Sequence, residues 1–124
     1  MLDHIGLHVN DLEKSKAFYL AALKPLGYEQ LHEFAEWNVV GLGADGKADL
    51  WLTGDGAKQA QHVCFRTTEK TRVDAFHEDG LKAGGKDNGA PGYRKDYSPG
   101  YYAAFVLDPS GHNIEVVWHD PGAE

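Results

Sequence analysis

A faint internal repeat constrains the fold of this chain more than any other feature. Aligning His4 with His62 brings further similar residues into register. The matched pairs include Phe18 with Phe76, Leu23 with Leu81 and Gly27 with Gly85, and, at a slightly longer offset, Trp37 with Tyr101, Leu50 with Ile114 and Trp51 with Glu115. The change of offset places extra residues in the Gly- and Pro-bearing stretch 84–100, which predicts a loop there. We therefore expect two similar modules, 1–57 and 58–124, within one domain.

Each copy has the pattern of a strand, a helix and further strands. Residues 2–9 alternate between apolar and polar, as a half-buried strand does. Asn10 and Glu13 resemble a helix-capping box, and an apolar stripe from Leu12 predicts a helix that ends at Gly27. The remaining predictions are strands near 28–34, 37–43 and 48–53 in the first copy, and in the second a strand at 61–67, a helix over about 69–83 and strands near 101–108 and 112–119.

Composition limits the class of protein. The 124 residues suffice for one domain, and 42% of them are hydrophobic, enough to fill a core. The apolar runs are too short for a membrane span. The net charge of −7, with the basic residues scattered, argues against a nucleic-acid partner. The single cysteine, Cys64, forms no internal disulfide, which favours a cytoplasmic location.

Strand alternation places three potential metal ligands in related positions. Ile5, Leu7 and Val9 form the apolar set of the first strand, which turns His4 to the opposite face. By the same argument His62, Cys64 and Arg66 share a face of the fifth strand, and Glu115 lies on the corresponding face of the last strand. If the two modules pack about a pseudo-two-fold axis, His4, His62 and Glu115 converge on one cavity. Two imidazoles and one carboxylate leave metal coordination positions open for a substrate.

Simpler interpretations exist for each of these residues. A strand histidine or glutamate commonly faces solvent, and Arg66 either receives an anionic group of a ligand or pairs with a surface acid. Trp51, Tyr101 and Tyr102 either line the cavity or belong to the core. His8 and His119 are candidates for orienting the ligands. Cys64 fits a small buried filler better than a nucleophile, and His32, His77 and His112 are expected at the surface without a role.

Three segments resemble a known family. DHIGLHV at 3–9, DLEKS at 11–15 and FVLDPSGHNIE at 105–115 resemble the vicinal oxygen chelate superfamily, which includes glyoxalase I, extradiol dioxygenases, and fosfomycin- and bleomycin-resistance proteins. The stretch DNGAPG at 87–92 is similar to an uncharacterised glyoxalase-like branch. The resemblance implies an α+β fold in which two βαβββ modules form a curled mixed sheet around a central cavity.

The resemblance also assigns positions. His4, His62 and Glu115 match family metal-ligand positions on the first, fifth and eighth strands. Trp51 occupies the fourth position, where glyoxalase I has a glutamate, which argues against glyoxalase I chemistry itself. The resemblance favours an enzyme of the lyase, isomerase or dioxygenase type that chelates a small oxygen-rich molecule on Zn, Mn, Fe, Ni or Co. Arg66 or a tyrosine would steer the substrate, and no general base is assigned.

Two further expectations complete the sequence-based account. The alternative function is a metal-free protein that binds a drug or metabolite, for which Trp51, Tyr101 and Tyr102 would provide pocket walls. A homodimer is expected, because eight short strands leave edges and a cavity mouth to cover. Fold alone does not choose between these functions.

Overall fold

The computed structural model describes residues 1–123 and contains two copies of one module. The first module consists of β1 (Ile5–His8), α1 (Leu12–Ala22), β2 (Glu29–Phe34), β3 (Val39–Ala44) and β4 (Lys47–Thr53), with short 3₁₀ turns at Lys24–Leu26 and Ala35–Trp37. The second consists of β5 (His62–Thr67), α2 (Lys70–Lys82), β6 (Lys86–Tyr93), β7 (Tyr101–Leu107) and β8 (Asn113–His119). The order βαβββ occurs twice, so the predicted α+β fold class is confirmed.

Each module forms its own four-stranded mixed sheet. The strand orders are β1-β4-β3-β2 and β5-β8-β7-β6, and the two sheets are not closed into a barrel. The first strand of each module runs parallel to the last, whereas the other neighbours are antiparallel. The module boundary expected between residues 57 and 58 falls in the connection between β4 and β5. None of the helices among residues 1–123 is long and apolar enough to cross a membrane.

The start and end of α1 differ from the prediction. Asp11, not Asn10, caps the helix, because its side chain accepts a hydrogen bond from the Lys14 N–H. The Asn10 side chain instead accepts from the Ala57 N–H in the connection between the modules. The helix ends at Ala22, and a 3₁₀ turn that contains Pro25 follows, since proline lacks the N–H needed to continue an α-helix.

The predicted loop over 84–100 was wrong for its first half, which forms β6. This strand lies at the edge of the second sheet, and its register with β7 shifts between Asp87 and Gly89 and again between Gly89 and Gly92. An edge strand tolerates glycine and proline because one side of its backbone needs no partner. The glycines and the proline of this segment therefore indicated a loop, although the segment forms a strand.

One core joins the two modules through their helices. The buried cluster includes Leu50 and Leu52 of the first sheet together with Val106 and Ile114 of the second. Phe18 of α1 reaches the second module: a Cβ added at Gly85 would lie 2.5 Å from both Phe18 and Val106, so only glycine fits there. The two helices thus pack between the sheets, and each sheet turns its other face outward. We call these the outer faces.

The β7–β8 turn fastens the second module to the first by hydrogen bonds. The Tyr19 hydroxyl donates to Asp108 over 2.5 Å, and the Asn10 N–H donates to the Ser110 hydroxyl over 2.9 Å. His112 was expected at the surface but is only 1% exposed. Its Nδ1 accepts from the Gln61 N–H, so Nε2 carries the proton donated to the His8 carbonyl. This histidine is a structural link between the modules.

Candidate functional site

The outer face of the second sheet brings His62 and Glu115 together. β5 and β8 are parallel neighbours, and strand alternation puts both side chains on this face, as predicted. The His62 Nε2 lies 2.9 Å from the Glu115 Oε1. The Glu115 side chain is 3% exposed, whereas that of His62 is 54% exposed. The carboxylate is thus nearly buried, and the imidazole connects it to solvent.

Tyr101 completes the hydrogen bonding of this carboxylate. Its hydroxyl donates to the Glu115 Oε2 over 2.5 Å, so both carboxylate oxygens have a partner. Burial of the Tyr101 ring, followed by the bond to Glu115, raises the pKa of the phenol above its usual value. A buried carboxylate without such partners would be strongly disfavoured. Tyr101 was predicted as a pocket wall, and its contact with Glu115 gives it a more specific position.

The thiol of Cys64 lies beside Glu115 on the same face. Although part of Cys64 reaches solvent, burial of the thiol and the neighbouring Glu115 raise its pKa to about 12. The group is therefore protonated at neutral pH and a poor nucleophile. A protonated thiol agrees with the expectation that Cys64 is no nucleophile, whereas its expected burial was wrong, because the residue is exposed.

Phe105 and Arg94 extend this face, and neither was singled out from the sequence. Phe105 is paired with Glu115 across β7 and β8, and its ring centroid lies 6.3 Å from that of His62. The Arg94 Cζ lies 5.4 Å from the centroid of the Phe105 ring. Since every second residue of a strand points to the same face, alternation along β7 from Tyr101 would have placed Phe105 on the face of Glu115. Arg94 was hidden in the segment predicted as loop.

The outer face of the first sheet is aromatic. Trp51 stacks on His32 with ring centroids 5.5 Å apart, and Phe34 lies 6.2 Å from Trp51. The indole lies over Gly41, where an added Cβ would be 2.7 Å from Trp51 Cζ3. Phe34 and Trp37 are 39% and 67% exposed. We call His32, Phe34, Trp37 and Trp51 the aromatic cluster.

His4 lies apart from the pair of His62 and Glu115. Its Nδ1 is 2.7 Å from the Asp3 carboxylate, which also pairs with Lys47. Within residues 1–123 no three His, Cys, Asp or Glu side chains lie close enough to hold a metal ion. The predicted set of His4, His62 and Glu115 is therefore not assembled within one chain.

The other candidate residues have different surroundings. Arg66 is exposed and lines a surface groove with Tyr28 and Asp49. Because neighbouring residues of a strand point to opposite faces, Tyr102 lies on the helix side of β7, opposite to Tyr101. Its hydroxyl donates a hydrogen bond to Asp74 of α2. It does not face Glu115. His8 Nδ1 lies 2.6 Å from the Asp55 carboxylate, and the His119 ring packs edge-on against Tyr101 at 5.3 Å.

Comparisons with known proteins agree with this fold. The uncharacterised protein YqjT of Bacillus subtilis is 30% identical, with 94% of this chain and 97% of the relative aligned. A glyoxalase/bleomycin resistance protein from Albidiferax ferrireducens has a TM-score of 0.81 at 27% identity, covering 97% of this chain and 99% of that one. The fosfomycin resistance protein FosX from Listeria monocytogenes, a variant solved with Mn(II) and a dihydroxypropylphosphonic acid, has a TM-score of 0.72 at 19% identity, covering 98% and 91%.

The lactoylglutathione lyase from Agrobacterium tumefaciens also shares the fold, with a TM-score of 0.71 at 20% identity, covering 95% of this chain and 92% of that one.

A family model extends these similarities over most of the chain. The model of the Glyoxalase/Bleomycin resistance protein/Dioxygenase superfamily matches residues 1–116. The chain belongs to this superfamily.

Proposed function

We propose that this chain is a metal-dependent enzyme that acts on a small oxygen-rich molecule, with its site shared between the two chains of a homodimer. The observation that carries the proposal is the nearly buried Glu115 carboxylate, 2.9 Å from the partly exposed His62 imidazole on an open sheet face. A buried acid beside an accessible imidazole is an arrangement that functional sites favour.

The donor atoms present suit a divalent transition metal. Imidazole nitrogen and carboxylate oxygen are ligands for Zn, Mn, Fe, Ni and Co, and this set does not choose among them. Two protein ligands are too few for a catalytic site, which commonly has three and an open position. His4 is the expected third ligand, and it would come from a second chain.

The packing of the single chain supports this completion by a second copy. Residues of both helices and both sheets form one buried cluster, so the space between the helix sides of the two sheets is filled. Phe34 and Trp37 leave large apolar surfaces exposed on the outer face of the first sheet. Placing that face over the outer face of the second sheet of another chain would cover these rings and bring His4 toward His62 and Glu115. A two-fold dimer contains two such sites.

The residues of the site have distinct tasks. A bound ion would act as a Lewis acid toward two neighbouring substrate oxygens. Glu115 and His62 would hold it, while the hydroxyl of Tyr101 fixes the orientation of the carboxylate. Trp51 and the other members of the aromatic cluster would form an apolar wall that excludes water. Membership of a superfamily that includes glyoxalases and dioxygenases is the basis for proposing a lyase, isomerase or dioxygenase type of reaction, and no residue is assigned as general base.

Metal content tests the proposal. Untagged protein purified without chelator should carry about one transition-metal ion per chain. Glu115→Ala and His4→Ala should both lose the ion. His77→Ala, which removes a histidine paired with Asp87 outside the site, should retain it. Protein that takes up no Zn, Mn, Ni or Fe(II) on soaking would contradict the proposal.

A specific observation favours a second candidate function, metal-free binding of a drug or metabolite. Both oxygens of Glu115 are already satisfied by His62 and Tyr101, so no ion is required to hold the carboxylate. The aromatic cluster offers flat apolar surface to a ligand. His62→Ala separates the two functions, because a binding protein would keep its ligand and a metalloenzyme would lose its ion. A cytoplasmic location, suggested by the single unpaired cysteine, is compatible with either function.

A further inference from the structure

We infer that Arg94 is a substrate-positioning residue that receives a carboxylate of the substrate, which therefore carries an acid group besides the two oxygens chelated by the metal. This inference rests on the proposed function and specifies its substrate class. It is carried by the way the guanidinium is held on the outer face of the second sheet.

The guanidinium of Arg94 lies in a cradle built by β6. Its two terminal nitrogens donate to the carbonyls of Gly92 and Ala90, at 2.9 and 2.7 Å. An added Cβ at Gly92 would lie 3.0 Å from one terminal nitrogen, and at Gly89 it would lie 3.2 Å from the other. The glycines thus leave the space that the guanidinium occupies, and the carbonyls fix its orientation.

The cradle places this cation beside the proposed metal ligands. Arg94 lies over the ring of Phe105, which is the direct neighbour of Glu115 across the sheet. The same ring lies 6.3 Å from that of His62. The Arg94 backbone N–H also donates to the carbonyl of Tyr101, whose hydroxyl holds Glu115. All five residues therefore belong to one continuous surface.

Arg94 retains hydrogen-bonding capacity that the protein does not use. A guanidinium has five N–H donors in a planar fork, and the two carbonyls take two of them. No Asp or Glu among residues 1–123 lies within ion-pair distance of Arg94, unlike Arg72, which pairs with Glu69 at 2.7 Å. A half-buried cation with free donors next to an open face is suited to a planar carboxylate.

A purely structural role would also explain the two carbonyl contacts, because they stiffen the β6–β7 hairpin. The two roles differ in one property. A residue that only stiffens the hairpin does not distinguish a dicarboxylate ligand from the matching monocarboxylate. The test therefore compares ligands that differ by one distant carboxylate, with hairpin stability measured separately by thermal unfolding.

The probes are α-hydroxyglutarate and α-hydroxybutyrate, which share the chelating hydroxy-acid group and differ in the second carboxylate. Each is titrated into protein with and without bound Zn, following the arginine Nε–H signals by NMR. We expect α-hydroxyglutarate to bind roughly tenfold or more tightly than α-hydroxybutyrate, as a charged hydrogen bond would provide. Arg94→Gln should remove this preference, Arg94→Lys should retain part of it, and the control Arg72→Gln should retain all of it.

The outcomes separate the inference from the proposed function. A preference that is absent, or that persists in Arg94→Gln, overturns the inference even if metal binds at His62 and Glu115. A preference that depends on Arg94 in a protein unable to bind metal supports the role of Arg94 as the carboxylate receiver and contradicts the metal-dependent function, including the chelation by the metal. Loss of the preference in a folded Arg94→Gln protein with an unchanged melting temperature excludes the structural explanation.

Discussion

The two outer faces belong to modules with the same order of strands and helix, but they differ in chemistry. On the second sheet, Glu115 is nearly buried and hydrogen-bonded to His62 and Tyr101. On the first sheet, the position related to Glu115 by the repeat holds Trp51, which stacks on His32 over Gly41. One outer face thus carries hydrogen-bonded polar groups, and the other is aromatic. The two modules share the same order of strands and helix but differ in the chemistry of their outer faces.

The core shows the opposite behaviour, since buried residues of both modules pack into one cluster. Phe18 is fully buried and packs against the second module near Gly80 and Gly85. The two modules differ in the side chains of their outer faces. The side chains that face the helices instead pack together in one core.

Phe18→Ala should have the largest effect, because it removes the ring that joins the helix of one module to the sheet of the other. We expect the free energy of unfolding to fall by about 3–5 kcal/mol, as for other buried aromatic truncations. The two modules should still unfold in a single transition, measured by chemical denaturation followed by circular dichroism. Two separate transitions in the wild-type protein would contradict a shared core.

Glu115→Gln should weaken metal binding by about a hundredfold, because an amide replaces the charged ligand without changing the shape of the buried site. The matched change on the other face, Trp51→Phe, should leave metal affinity unchanged. Isothermal titration with Zn measures both. Equal losses in the two variants would mean that the faces do not differ as described.

His112→Ala should lower the free energy of unfolding by about 1–3 kcal/mol, since it removes a buried side chain and leaves the part-buried Gln61 N–H and His8 carbonyl without their partner. His32→Ala, which removes an exposed histidine, should cost less. Denaturant midpoints of the two variants compare a histidine inside the module junction with one on the aromatic face. A larger effect at His32 would contradict the linking role of His112.

The smallest effect is a change in the titration of Asp87. The hydrogen bond from His77, followed by the Gly89 N–H, lowers the pKa of this carboxyl below its usual value. A lowered folded-state pKa means that the stabilisation is present above the unfolded pKa and disappears as the pH falls through the folded one. His77→Ala should therefore move the pKa of Asp87 upward, measured by NMR of the side-chain carboxyl. An unchanged titration would contradict the contact.

Local patterns in the sequence predicted the shared face of His62 and Glu115, but not the helix-side position of Tyr102 or the way the faces meet. Alternation placed His62 and Glu115 on one face, because strand periodicity depends only on neighbouring residues. The convergence of His4 required knowing how the modules pack. That depends on the fit of Phe18 against Gly80 and Gly85, which no local pattern reveals. The convergence stays a prediction for the dimer.

The strand β6, the position of Arg94 and the contact of His32 with Trp51 were not predicted from the sequence, and each omission has a physical reason. β6 was read as loop because glycine and proline are punctuating residues in most contexts, and an edge strand is an exception. Its loss from the prediction also hid Arg94, whose position depends on the glycines of that strand. The register shift in β2 between Gln30 and His32 likewise concealed that His32 meets Trp51.

The most direct test of the shared site is to mix two variants, each of which should lack the metal. His4→Ala and Glu115→Ala proteins are unfolded together, refolded and assayed for bound metal. In a mixed dimer, one site combines the intact His62 and Glu115 of one chain with the intact His4 of the other. With random pairing, we predict recovery of about one quarter of the wild-type metal content. No recovery in mixed dimers, confirmed by mass spectrometry, would contradict a site shared between chains.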